Sequence, residues 1–173
     1  MDMTPTLDTW TILFLGVGVH GIVLAVLFFL RKSNHKRADR LLGVLILLFS
    51  LNLLNYVLFW TNYSMVFPHL MGATAFAQFV YGPILFLYLL AVVDPRRGWR
   101  KVDLLHFIPA LLYLATLVPF YLTPAEQKIA YLVNTFSGDK YEGMASRSAL
   151  TATLKSLHMA GYAVAIYLLT DPV

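Results

Sequence analysis

Six polar side chains sit deep within stretches of this chain that are otherwise almost wholly apolar: His20, Asn52, Asn55, Gln78, Lys155 and His158. Such groups are expensive to hold in hydrocarbon, so they are expected to face a bundle interior or a cavity. Counted inward from one end of each stretch at 1.5 Å per helical residue, they lie between about 8 and 14 Å deep. One polar layer reached from that end is therefore expected. Its candidate ligand-binding residues are His20, Asn52, Asn55, Gln78, Lys155 and His158, with Tyr81 and Tyr162 as amphipathic walls. Asn52 and Asn55 are three apart and share a helix face. The plainer alternative for each Asn, Gln or His is an interhelical hydrogen bond worth about 0.6 kcal/mol. Lys155 differs, because no Asp or Glu lies within any of the apolar stretches. Either it snorkels to the head groups or it binds an acidic ligand. His106 reads as a hydrogen-bonding residue at the membrane interface.

Most other chemistries lack their residues. There are no paired carboxylates, no His-Glu-x-x-His and no Gly-x-Ser-x-Gly, so an enzyme is not expected. The chain has no Cys, which excludes a disulfide framework and a thiolate metal site; no metal and no cofactor is expected. Proton-coupled transport needs an intramembrane acid that is missing here. Gly16-Val17-Gly18-Val19-His20-Gly21 spells a dinucleotide-binding pattern, but inside an apolar run its small residues serve close helix approach. Asn62-Tyr63-Ser64 spells a glycosylation acceptor in a turn too short to leave the membrane surface.

The elements that must position these residues are five apolar runs: Thr11 to Leu30, Leu41 to Trp60, Leu70 to Val93, Leu104 to Leu122 and Ala149 to Leu169. Each is about 19 to 24 residues, enough for a helix to cross a hydrocarbon core of about 30 Å. Backbone amides in lipid must be satisfied within their own segment, and no alternating strands are present to close a barrel. The fold class expected is all-α, an integral membrane bundle of five transmembrane helices forming one domain over residues 1–173. A mean hydropathy of +0.70 with 13% charged residues agrees with it, since soluble domains carry about 25%. A signal peptide is a poor reading of the first run, which is preceded by Asp2 and Asp8 and no base.

Of the thirteen Lys and Arg, Arg31, Lys32, Lys36, Arg37 and Arg40 lie between the first two runs, and Arg96, Arg97, Arg100 and Lys101 between the third and fourth. The positive-inside rule makes those loops cytoplasmic, the N-terminus external and the C-terminus cytoplasmic. The basic loops then contact anionic lipid, and nucleic-acid binding by this segment is not expected. In the connection Thr123 to Ser148, Lys128, Lys140 and Arg147 are balanced by Glu126, Asp139 and Glu142. Thr123-Pro124-Ala125-Glu126 reads as the start of a short external helix capped by Thr123 and broken at Ser137-Gly138-Asp139. Helix kinks are expected at Gly82-Pro83 and at Pro109, with Pro119 bending the far end of the fourth run. After Leu169 only four residues remain, so the chain is expected to be a membrane domain alone or a piece of something longer.

Several phrases carry a family resemblance: Leu51-Asn52-Leu53-Leu54-Asn55, then Phe79-Val80-Tyr81-Gly82-Pro83-Ile84-Leu85-Phe86-Leu87-Tyr88, then Leu105-His106-Phe107-Ile108-Pro109, then Leu157-His158 with Tyr162. In this order they resemble the N-terminal membrane sensor region of bacterial AraC-type transcriptional regulators, which precedes a cytoplasmic helix-turn-helix domain. The resemblance implies a sensory input domain for a small external or membrane-dissolved ligand, with DNA bound only by a C-terminal domain outside this sequence. Members of that kind carry about two more helices, an odd total as an external N-terminus requires. The alternatives are a small transporter, or a structural subunit docking a partner or a second copy as a homodimer through Gly16, Gly18 and Gly21.

Overall fold

The computed structural model describes the backbone of residues 4–136 and 142–171 and the side chains of residues 4–134 and 149–171. The expected break at Ser137-Gly138-Asp139 and the charges of Asp139, Lys140, Glu142 and Arg147 lie outside the described side chains. Among the described residues all regular structure is helical: α1 (Thr9–Leu30), α2 (Lys36–Trp60), α3 (Gln78–Val93), α4 (Ile108–Tyr121), α5 (Ala125–Phe136) and α6 (Glu142–Thr170). Among the described residues, four helical stretches are long and apolar enough to cross a membrane: Thr9–Leu30, Lys36–Trp60, Pro68–Val93 and Lys101–Tyr121.

Asp8 starts α1. Its carboxylate accepts from the Thr11 backbone N–H at 2.8 Å while the Asp8 N–H donates to the Thr11 hydroxyl at 3.0 Å, a reciprocal cap. The Thr11 hydroxyl, with its backbone N–H, also holds the Asp8 carboxyl below its ordinary pKa. Small residues then bring α1 against α2. A Cβ on Gly18 would lie 2.7 Å from Leu54 Cδ2, one on Gly21 would overlap Ser50 Oγ, and one on Gly43 would come within 3.0 Å of the Phe29 ring. The small-residue face is thus used within the chain, and Gly18 and Gly21 are not free to dock a partner. Gly16 alone of that set has open space.

The core lies where α2 meets α3, around Leu41, Leu45, Val80, Ile84 and Leu87. α6 packs on the other side of α3. The outward surfaces of α1, α4 and α6 expose Leu13, Val17, Leu27, Leu111, Leu112, Leu157, Val164 and Leu168. Continuous exposure of this kind is a liability in water and a match to lipid chains.

The third run departs from expectation. Regular α-helix begins only at Gln78, and the segment before it is built from 3-10 turns at Tyr63–Met65, Pro68–Leu70 and Ala75–Ala77 with Gly72 at φ +70°. Irregular backbone at this depth persists only where protein satisfies it, and here side chains do so. Asn55 Nδ2 donates to the Leu70 carbonyl at 2.6 Å, and the Tyr121 hydroxyl donates to the Gly72 carbonyl at 2.8 Å.

Proline placement also differs. Pro109 is in the first turn of α4, directly after a 3-10 helix over Lys101–Phe107, where its missing N–H costs nothing. It starts the α-helix rather than bending it. Pro119 lies in the last turn of α4. Pro83 sits inside α3, which continues through it.

Candidate functional site

The eight residues expected to form one layer fall into five places. His20 is exposed on α1. Asn52 and Asn55 belong to the support of the irregular segment: the Thr74 hydroxyl donates to Asn52 Oδ1 at 2.9 Å, alongside the Asn55 bond to Leu70. Gln78 is partly buried in the first turn of α3. Tyr81 is a core residue, 7% exposed and stacked on Phe49 with centroids 4.2 Å apart. Only Lys155, His158 and Tyr162 come together. They share one face of α6, because intervals of three and four return to the same side of a helix. Equal depth was the wrong criterion: depth says nothing about which way a helix face points.

The Asn pair therefore takes the plainer of its two readings, with one difference. Its bonds go to an irregular segment and not to another regular helix. Replacing Asn55 with Leu leaves the exposed Leu70 carbonyl without its donor, and we expect a loss of about 0.5–1.5 kcal/mol of stability. Thermal unfolding in detergent measures it; an unchanged midpoint would mean the segment is held by other contacts.

The three α6 residues face a cluster supplied by α3 and α4. Tyr162 Oη and His106 Nδ1 are 2.7 Å apart, a hydrogen bond whose donor is set by the histidine tautomer. The Tyr162 ring lies over Gly82: a Cβ there would be 2.7 Å from Tyr162 Cδ2. Glycine is what lets α6 approach α3 so closely. His158 packs edge-on against Phe79 (5.3 Å) and against Tyr162 (4.9 Å), and neither of its buried ring nitrogens has a hydrogen-bond partner. The Lys155 ammonium sits 4.7 Å from the centre of the Tyr113 ring, and Tyr113 in turn touches Phe79. A continuous column results, from Lys155 through Tyr113, Phe79, His158 and Tyr162 to His106.

Alongside it runs an open groove of about 340 Å³, lined by Phe86, His106, Leu157, His158, Gly161, Tyr162 and Ala165. His106 belongs to the 3-10 helix that follows the second basic loop, so the groove lies toward the basic-loop end of the bundle. This corrects the expected polar layer near the opposite end. The sequence signal for His106 and Phe86 was present in the phrases at 105–109 and 79–88, but nothing in their spacing showed that α6 would cover them.

At the basic-loop end a second polar cluster holds the elements together. Asp103, 1% exposed, accepts a bidentate pair from the Arg97 guanidinium, accepts the Arg100 backbone N–H at 3.0 Å, and lies 3.5 Å from Arg37 Nη2. Arg37 also donates to the Arg97 and Gly98 carbonyls and lies over the Trp99 ring at 4.8 Å. The Asp103 carboxylate holds the Arg97 guanidinium above its ordinary pKa. Two of the nine loop cations are thus structural, while Lys32, Lys36, Arg40, Arg96, Arg100 and Lys101 are exposed, as is Arg31, which lies 3.7 Å from Asp39.

At the other end Lys128 is 1% exposed. It donates to the Tyr121 carbonyl at 3.0 Å, lies 3.4 Å from His69 Nδ1 and sits over the Phe120 ring. It caps the C-terminus of α4 instead of pairing with Glu126, because a cation is favoured at that end of the helix dipole. The Thr123 hydroxyl donates back to Pro119 at 2.9 Å, so it serves α4 as well.

No family model matches the chain, and no curated protein and no solved structure matches it.

Proposed function

We propose that this chain is the membrane-embedded input domain of a bacterial transcriptional regulator, sensing a small membrane-dissolved ligand in the groove that α6 forms with α3 and the 3-10 helix before α4. The observation that carries the reading is His158: two buried ring nitrogens without a partner, at the wall of an open groove, where an orphan polar group normally costs about 1–3 kcal/mol. A ligand in the groove relieves that cost once the imidazole turns a nitrogen toward it. The mostly apolar lining, with Leu157 exposed at its edge, favours entry from lipid over entry from water.

In this reading the chain crosses the inner membrane five times, with α6 as the fifth span and the basic loops in the cytosol. The meeting of the two basic loops through Arg37 and Arg97 supports one side for both. Ligand in the groove shifts how α6 sits on α3 at Gly82-Pro83, and the loop cluster around Asp103 passes that shift to the cytoplasmic end. The ligand must favour one packing over the other, or nothing is signalled. A DNA-binding output belongs to the AraC-type resemblance and would lie downstream of Val173. A helix-turn-helix coding sequence there is the expected finding.

The site is tested by thermal unfolding of the detergent-purified chain with an organic extract of the bacterial membrane. Binding to the native state raises the midpoint. We expect the extract to raise it for the parent protein and to leave Gly161→Trp, which fills the groove, and His158→Leu, which removes its polar wall, unmoved. A parent protein indifferent to the extract, or variants that respond equally, would count against a ligand site.

A further inference from the structure

Resting on that reading of the groove, the inference here names the ligand's class. We infer that the occupant is a single-chain amphiphile with an ionised acid head group, such as a free fatty acid, bound with its acid at Lys155 and its chain toward Ala165. Lys155 is a cation inside an apolar helix face, and among the described residues no carboxylate lies within ion-pair distance of it. The Tyr113 ring contributes about 0.5–2 kcal/mol as a cation–π partner. Desolvating an ammonium costs several kcal/mol, so the ring alone leaves a deficit that an anion offsets.

The order along α6 gives the rest. Lys155 stands one turn before the groove lining, and from it the α6 face passes to the unpartnered imidazole of His158, then to Gly161 and Ala165 in the groove, with Leu157 and Phe86 beside them. Charge, hydrogen-bonding group and apolar wall follow one another over about 15 Å of helix, the sequence of polarity along an acid-headed chain. Lys155 packs on Tyr113, which touches Phe79 at the start of α3, so the acid lies toward the end away from the basic loops. A volume of about 340 Å³ is at the small end of the usual range of about 300–1,000 Å³ for ligand sites, which suits one chain and not two.

The test is photolabelling of the 173-residue chain in phosphatidylcholine nanodiscs with a diazirine-bearing palmitate, displaced by palmitate, hexadecanol or dioleoylphosphatidylglycerol. Palmitate is expected to displace the probe at least tenfold more effectively than hexadecanol. Lys155→Met should abolish that tenfold preference, Lys155→Arg should keep it, and Gly161→Trp should abolish labelling of α6. Equal displacement by the acid and the alcohol, or an unchanged preference in Lys155→Met, overturns the acid head group and leaves a groove ligand standing. Displacement by the phosphatidylglycerol as effective as that by palmitate overturns the single chain. Undiminished labelling in Gly161→Trp overturns the groove as a site, and the proposed function with it.

Discussion

Gly82→Leu is expected to push α6 off α3 and to be the most damaging single change within the helices. A Cβ at position 82 would lie 2.7, 2.8 and 3.0 Å from Tyr162 Cδ2, Cγ and Cβ. The ring can swing aside, but the Cβ of Tyr162 is fixed to its helix, so relief requires α6 itself to move. Overpacking a filled interface costs about 1–3 kcal/mol, and displacement of α6 also breaks the bond from Tyr162 to His106. A smaller loss follows for Gly82→Ala. In a double-mutant cycle, Tyr162→Ala should recover much of what Gly82→Ala loses, with a coupling of about 1 kcal/mol or more. Thermal unfolding in detergent reads the cycle. Additive losses would mean that the two residues do not touch, and the proposed ligand-driven shift at this contact would lose its hinge.

Asp103→Asn should cost about 2–3 kcal/mol, because it removes the anion around which Arg37 and Arg97 are gathered. The guanidiniums are only 16% and 11% exposed, so water replaces the carboxylate incompletely. We place the loss below the largest values known for buried pairs because the cluster lies at the end of the bundle, where the loop can open to solvent. Arg97→Lys is the informative companion: it keeps the charge and loses the bidentate geometry, and should give up about half as much. Hydrogen exchange across residues 94–103 would follow the opening directly. If Asp103→Asn leaves both the midpoint and the exchange unchanged, the cluster is not what binds the α2 end to the loop before α4.

These two positions differ in how far they could be read in advance. Gly82 stands out beside Pro83 as a shape determinant, and the sequence says that much. That its missing side chain makes room for Tyr162, some eighty residues on, depends on a long-range contact that no local spacing encodes. Asp103 looks like an ordinary charge beside a basic loop. Its burial arises only when Arg37, from the start of α2, folds over it.

Hydropathy and charge order determined the helical architecture, the approximate limits of four stretches long and apolar enough to cross a membrane, and the two basic loops that meet through Arg37, because a backbone in lipid must satisfy its amides within its own segment. Side-chain direction lay beyond them. Depth along a helix is a one-dimensional quantity, whereas the grouping of polar residues depends on rotation about each axis and on which helices are neighbours. That is why His20 is exposed, why Asn52 and Asn55 hold a non-helical segment, and why only the α6 residues Lys155, His158 and Tyr162 line up with His106. Tertiary packing decided these, through the close approach that Gly18, Gly21 and Gly82 permit.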